Sequence, residues 1–180
     1  LHAYNLLVTF HGNQRGHAEQ EIMERMKDLG VYVEKLELCE VEGVFLAQVG
    51  GDAKVLVSQL KRVCHEDPAQ FLYTHHWVPI ERWVPSNLRE ITDAVIELGR
   101  GVGENETWKM HLHKRHFEEH HDDLIAQLTT PLNLGRVDLK DPDRILAVEI
   151  LGRNTGLSLV SRHELLDVNK VRVESGAGTV

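Results

Sequence analysis

The sequence predicts an α/β (α+β) fold divided into two small domains. Three observations carry that expectation. Strand and helix signals follow one another as βαββαβ within residues 1–78, the stretch 79–85 is interrupted by Pro79 and Pro85, and helix and strand signals then resume up to the apolar run 144–151. With 180 residues, 42% apolar and 27% charged, the chain is long and apolar enough for packed cores.

The first segment, Tyr4–Phe10, is aromatic, β-branched and apolar, as a buried strand is. HGNQRG turns the chain into a helix over 17–29, with Ile22, Met26 and Leu29 at helical spacing and Gly30 as its stop. Val31–Leu38 alternates polar and apolar residues and predicts a strand, followed by Val44–Val49 and a break at Gly50–Gly51. Over Ala53–Val63 the residues Val55, Leu56, Leu60 and Val63 predict one buried helical face, and Phe71–Val78 a fourth strand. This order is the ferredoxin-like split-βαβ arrangement.

Residues 79–85 then read as a linker packed by Trp77 and Trp83, since proline cannot continue a central strand. Ser86 or Asn87 caps the next helix, with Glu90 in its first turn and Leu88, Ile91, Val95 and Leu98 on one face. Residues 107–113 alternate Trp108, Met110 and Leu112 with Lys109, His111 and His113, the pattern of a half-buried strand. A helix over Phe117–Leu128 ends at Pro131, and a turn-rich stretch leads into the strand Arg144–Leu151. Gly152, Asn154 and Gly156 predict a hairpin to Leu157–Val160, and 163–170 a short helix or strand.

Composition narrows the function classes. No apolar run approaches the roughly 18–20 residues of a membrane span, and the N-terminal run lacks the basic lead of a signal peptide, so a cytoplasmic protein is expected. Cys39 and Cys64 have no metal-type spacing and suit a reducing compartment. The net charge is −8; residues 1–80 hold 7 Lys/Arg against 11 Asp/Glu, and residues 81–180 hold 13 against 17. Both halves are acidic on average, so any nucleic-acid affinity must come from a local basic surface and be modest.

The histidines form the densest polar cluster. His111 and His113 share a strand face, and His116 and His120 stand at i, i+4, a metal-ligand spacing on a helix, with Glu118, Glu119, Asp122 and Asp123 nearby and His121 adjoining. HFEEH places Phe117 where a zinc-protease motif needs glutamate, so the expectation is no catalytic residue, no metal and no cofactor. A metal-dependent enzyme built on His111–His121 is the alternative. Asp138, Asp141 and Asp143 read as turn and cap residues, and Tyr4, Trp77, Trp83 and Trp108 as packing rather than base-stacking side chains.

Residues 86–172 resemble a THUMP domain, an RNA-binding module of order ααβαββ. The likeness rests on ETWKMHLHKR (106–115), HDDLIAQL (121–128), GRVDLKDPD followed by RILAVEILG (135–152), and GLSLVSRHELLDV (156–168). THUMP proteins commonly carry a ferredoxin-like domain ahead of the module, which residues 1–78 fit. Among them, the chain is most similar to stand-alone THUMP adaptors of tRNA cytidine acetylation. Three signatures of catalytic relatives are missing: the methyltransferase GxGxxG, the SGGxDS loop of thiouridine synthases and the HxE…PCxxC deaminase pattern.

The resemblance therefore implies a non-catalytic adaptor. It would hold tRNA at the acceptor stem and 3′ end for a separate RNA cytidine acetyltransferase, which uses acetyl-CoA and ATP to form N4-acetylcytidine in the D-arm. A protein-interaction module without RNA contact is a further alternative. Lys114 and Arg115 match the family's basic position at the end of its first strand, and Lys109, Arg136, Lys140, Arg144, Arg153 and Arg162 complete the expected RNA-binding set, with Ser158 and Ser161 as possible donors. Residues 173–180 are expected to form a loosely ordered tail.

Overall fold

A computed structural model describes residues 1–176. The chain folds as two compact units, one of residues 3–79 with 163–176, the other of residues 80–162.

In the first unit β1 (Leu6–Phe10), α1 (Arg15–Asp28), β2 (Val33–Leu38), β3 (Val44–Val49), α2 (Ala53–Glu66) and β4 (Thr74–Pro79) follow in the expected order. Their strands lie as β4-β1-β3-β2, all antiparallel, which is the ferredoxin-like sheet. Alternate residues of the sheet, Leu6, Val8, Phe10, Phe45, Ala47 and Trp77, pack against Ile22 and Met26 of α1 and Leu56, Val57, Leu60 and Cys64 of α2. The buried face of α2 is rotated from the expected one: Val55 is 51% exposed, and Val57 and Cys64 take the core positions. Asp52 caps this helix by accepting from the Lys54 amide at 2.8 Å. Burial pushes the Cys64 thiol up to about 12, as suits an inert packing residue, and both cysteines are free.

Two expectations about boundaries are corrected here. Residues 163–176 belong with the first unit rather than closing the second. β10 (Leu166–Asp167) adds to β4 as a fifth strand, and α5 (Val168–Glu174) buries Val168 and Val171 in the same core as Leu166. The anticipated tail therefore begins in a helix; residues 177–180 lie outside the described residues.

Asp167 fixes this return. Its carboxylate caps α5 by accepting from the Lys170 amide at 3.1 Å and meets His76 of β4 at 3.4 Å. Burial alone would raise its pKa, but the His76 contact and the Lys170 amide outweigh it and bring the carboxyl to about 2. The depressed carboxylate contributes stability in full above its unfolded value of about 3.9 and loses it as pH falls toward about 2. Hydrogen exchange should therefore show the amides of α5 losing protection in that window ahead of those of α2. Asp167→Ala should lower α5 protection by about 1 kcal/mol at neutral pH, the worth of a cap; unchanged protection would contradict this.

The second correction concerns 79–85. Arg82–Pro85 is a strand, β5, and pairs with β9 (Asn154–Ser161) at the edge of a second sheet. Pro85 ends that edge strand, a place where a missing amide costs nothing. The second unit continues with α3 (Leu88–Gly99), β6 (Thr107–Arg115), α4 (His121–Thr129), β7 (Arg136–Val137) and β8 (Arg144–Leu151). Its sheet runs β5-β9-β8-β6-β7, with β6 and β8 parallel and joined through α4. Asn87 caps α3 as expected, accepting from the Glu90 amide at 2.9 Å. Ile91, Ala94, Val95, Leu124 and Leu128 cover one sheet face made by Trp108, Leu112, Leu146, Val148, Ile150 and Leu157. No helix among the described residues is long and apolar enough to cross a membrane.

Candidate nucleic-acid interface

β6 is the organising strand. Beyond Trp108 its outer side has no sheet partner among the described residues, because β7 pairs only with Thr107 and Trp108. The open stretch is KMHLHKR (109–115). A period of two places Lys109, His111, His113 and Arg115 on the face away from α3 and α4, while Lys114 lies on the helix side with Leu112. Lys114 and Arg115 are therefore neighbours at one strand end but point to opposite faces. Lys114 donates from Nζ to the Phe117 carbonyl at 3.2 Å and is half-buried.

The eight expected contact residues divide between two ends of the sheet. β6 and β8 are parallel in the register Arg115↔Leu151, and the Gly152 amide bonds the Arg115 carbonyl at 2.8 Å. Lys114, Arg115 and Arg153 therefore share one end, where exposed Arg153 sits in the two-residue turn between β8 and β9. Gly152 takes φ +60° at the first position of that turn, as a type II′ connection requires. Arg136, Lys140, Arg144 and Arg162 gather at the opposite end, roughly 20 Å away at about 3.3 Å per residue along β6. Lys109 lies one residue past the Trp108↔Arg144 pair, nearer this second end.

The second end is already internally balanced. Arg144 donates to the Gly101 carbonyl at 3.3 Å and pairs with Glu106 at 3.5 Å; Arg162 pairs with Asp141 at 3.1 Å. Asp138 accepts from the amides of Lys140 and Asp141, both at 3.0 Å, and Asp143 from the amide of Thr107 at 2.9 Å. Those backbone bonds hold both carboxyls below the usual range, so Asp138 is a turn residue and Asp143 ties the chain before β8 to the start of β6, while the Asp141 carboxylate pairs with Arg162.

A buried carboxylate lies beneath the β6 face, and the strand pattern alone did not assign it a role. Glu149 of β8 is 0% exposed and faces His113 directly across the parallel register. Its Oε1 is 3.7 Å from His111 Nε2 and 3.5 Å from His113 Nδ1, and its Oε2 is 3.6 Å from an Arg115 guanidinium nitrogen. Burial alone would raise this carboxyl; the contacts of His111 and His113 outweigh it and hold it down to about 2. A glutamate inside RILAVEIL was the available signal, because a charge on a buried strand demands a partner.

His116 is in a loop at φ +57° and α4 starts only at His121, so His116 and His120 do not share a helix. Asp122 and Asp123 in the first turn favour that later start. His121 Nε2 lies 3.1 Å from the Leu112 carbonyl. Trp77, Trp83 and Trp108 are buried at 0%, 7% and 4% exposure, so they are packing residues.

Gly156 is a strand residue paired with Glu149 rather than part of the turn. A Cβ there would meet Ile80 Cδ1 at 2.9 Å and the Trp83 ring at 3.1 Å, which lie over it. Gly156→Ala should therefore cost about 1–3 kcal/mol of stability in urea unfolding. An unchanged midpoint would show that Ile80 and Trp83 repack freely.

No protein-family model matches the chain, and no curated protein matches it. Solved structures do. PH1313 from Pyrococcus horikoshii Ot3 superposes with a TM-score of 0.58 at 14% identity over 88% of this chain. TrmN from Thermus thermophilus gives 0.56 at 12% over 92%, and a 4-thiouridine synthetase in complex with RNA and bound ATP gives 0.50 at 15% over 91%. At such identities the likeness establishes the fold alone, a two-unit α+β chain. This chain spans 55%, 47% and 42% of the lengths of those three proteins.

Proposed function

We propose that the chain binds RNA through the open edge and basic end of β6. It then acts as a non-catalytic adaptor, holding tRNA at the acceptor stem and 3′ end for a separate RNA cytidine acetyltransferase that forms N4-acetylcytidine. The observation that carries the RNA reading is the stretch 109–115 of β6, which lies beyond the last β7 pairing at Trp108, presents Lys109, Lys114 and Arg115 and ends beside exposed Arg153. Cations on an edge strand also guard it against strand pairing; the clustering of Arg153 with Lys114 and Arg115 at one end favours phosphate contact. The likeness to a synthetase solved with RNA supports the same reading. The acetylation partner rests on the resemblance of the residues in 106–168.

The two ends of the sheet are distinguishable by substitution. Lys114→Ala with Arg153→Ala should weaken tRNA binding several-fold and reduce the salt slope by about 1 per lost phosphate contact. Arg136→Ala with Lys140→Ala should change it little. The reverse ranking would move the interface to the second end. The adaptor role is tested by deleting the gene and digesting total tRNA to nucleosides: N4-acetylcytidine should disappear and other modified nucleosides persist. Unchanged N4-acetylcytidine would rule the role out and leave RNA binding standing.

A further inference from the structure

We propose that His111, His113 and Glu149 form a binding site for one divalent cation of the zinc type, with Arg115 holding the far carboxylate oxygen. The site is separate from the His116–His120 spacing in the sequence and does not depend on the RNA reading.

The donor geometry carries the inference. One ligand atom from each of the three residues lies within 4.8 Å of the others. Oε1 of Glu149 stands 3.5 and 3.7 Å from the two imidazole nitrogens. These separations are too long for N–H···O hydrogen bonds of about 2.7–3.2 Å. They lie within a few tenths of an ångström of the roughly 3.3 Å edge of a tetrahedron with metal–ligand bonds of about 2.0–2.1 Å. Glu149 is fully buried, and neither of its oxygens has a hydrogen-bond partner. The buried carboxylate thus stands beside two imidazoles at ligand spacing, with ion-pair distances but no hydrogen bond to either.

The chemistry of the set selects the ion. Two imidazole nitrogens and one carboxylate oxygen suit zinc and its neighbours in the first transition row, whereas calcium and magnesium prefer oxygen alone. Both rings bind as neutral ligands, so the cation replaces ring protons instead of adding to them. Oε2, turned to Arg115 at 3.6 Å, has the outer-sphere partner that orients ligating carboxylates. The three ligands sit on two hydrogen-bonded strands, which fixes their spacing better than a loop would. The side chains of His111 and His113 are 18% and 34% exposed, so the fourth position opens outward to water or an anionic oxygen. Three protein ligands with one open position distinguish this site from closed structural zinc centres.

The test uses the full chain, stripped with a chelator and titrated with Co2+ in an absorption cell, then with Zn2+ in competition. Saturable binding with the intense visible bands of a tetrahedral cobalt site is expected, displaced by Zn2+ and accompanied by a rise in melting temperature. His111→Ala and His113→Ala should each abolish the bands while keeping the native circular dichroism, and His120→Ala should leave them intact. Two outcomes overturn the proposal: no saturable uptake by the wild-type chain, or bands that persist in both folded strand variants and so belong to others of the twelve histidines. If one variant fails to fold, the other decides.

Discussion

Arg115→Ala is expected to destabilise the second unit by about 3 kcal/mol, because it strips a fully buried carboxylate of its permanently charged neighbour. Glu149 is 0% exposed, and the Arg115 guanidinium lies 3.6 Å from Oε2. The other groups beside it, His111 and His113, carry charge only when protonated. The expected loss is placed at the low end for a broken buried pair because the Arg115 side chain is itself 28% exposed, so water can reach part of the gap. Replacing both partners by leucine removes the stranded charge and should cost less than Arg115→Ala alone. Urea unfolding of Arg115→Ala and of the double leucine variant measures this. Equal losses for Arg115→Ala and the double variant would mean the guanidinium contributes packing only. The result bears on any RNA experiment: loss of binding on Arg115→Ala would mix a lost phosphate contact with a disturbed sheet, which is why Lys114 and Arg153 are the cleaner pair.

Glu21→Ala should have a loss of similar size in the first unit. The Glu21 side chain on α1 accepts from the Leu72 amide at 2.6 Å, the Tyr73 amide at 3.2 Å and the Thr74 amide at 2.8 Å. It thereby ties α1 to the start of β4, with Thr74 fully buried. Charge-assisted bonds contribute about 1.5–3 kcal/mol each but do not add fully, so a total of about 3 kcal/mol is expected. Glu21→Gln should fall between, since its amide nitrogen cannot accept. Amide exchange at Tyr73 and Thr74 should accelerate together in Glu21→Ala; protection that survives would mean water or a shifted side chain replaces the carboxylate.

Local chemistry was readable where it decided the structure locally. Asn87 with Glu90 marked the start of α3, Gly30 the end of α1, and the alternation through 107–113 the strand β6. Three features escaped because their causes are not local. Arg82–Pro85 contains a proline that forbids a central strand, yet it forms an edge strand, and the sequence does not say which position it takes. Leu166–Asp167 pairs with β4 about ninety residues earlier, a contact that seven apolar and polar residues of α5 cannot announce. Glu149 was visible as an anomaly in an apolar run, but its partners follow only from the parallel register that sets it opposite His113. One correction lay within reach: the two-residue period already separates Lys114 from Arg115 by face.

The central claim is that this acidic chain binds RNA through a small basic end of one sheet. Fluorescence anisotropy of a labelled tRNA transcript, titrated with the full chain at several salt concentrations, tests it most directly. The account predicts saturable, modest binding at low salt whose logarithm falls linearly with the logarithm of salt, with a shallow slope reflecting few phosphate contacts. Absence of binding at low salt, or binding that salt leaves unchanged, would contradict it.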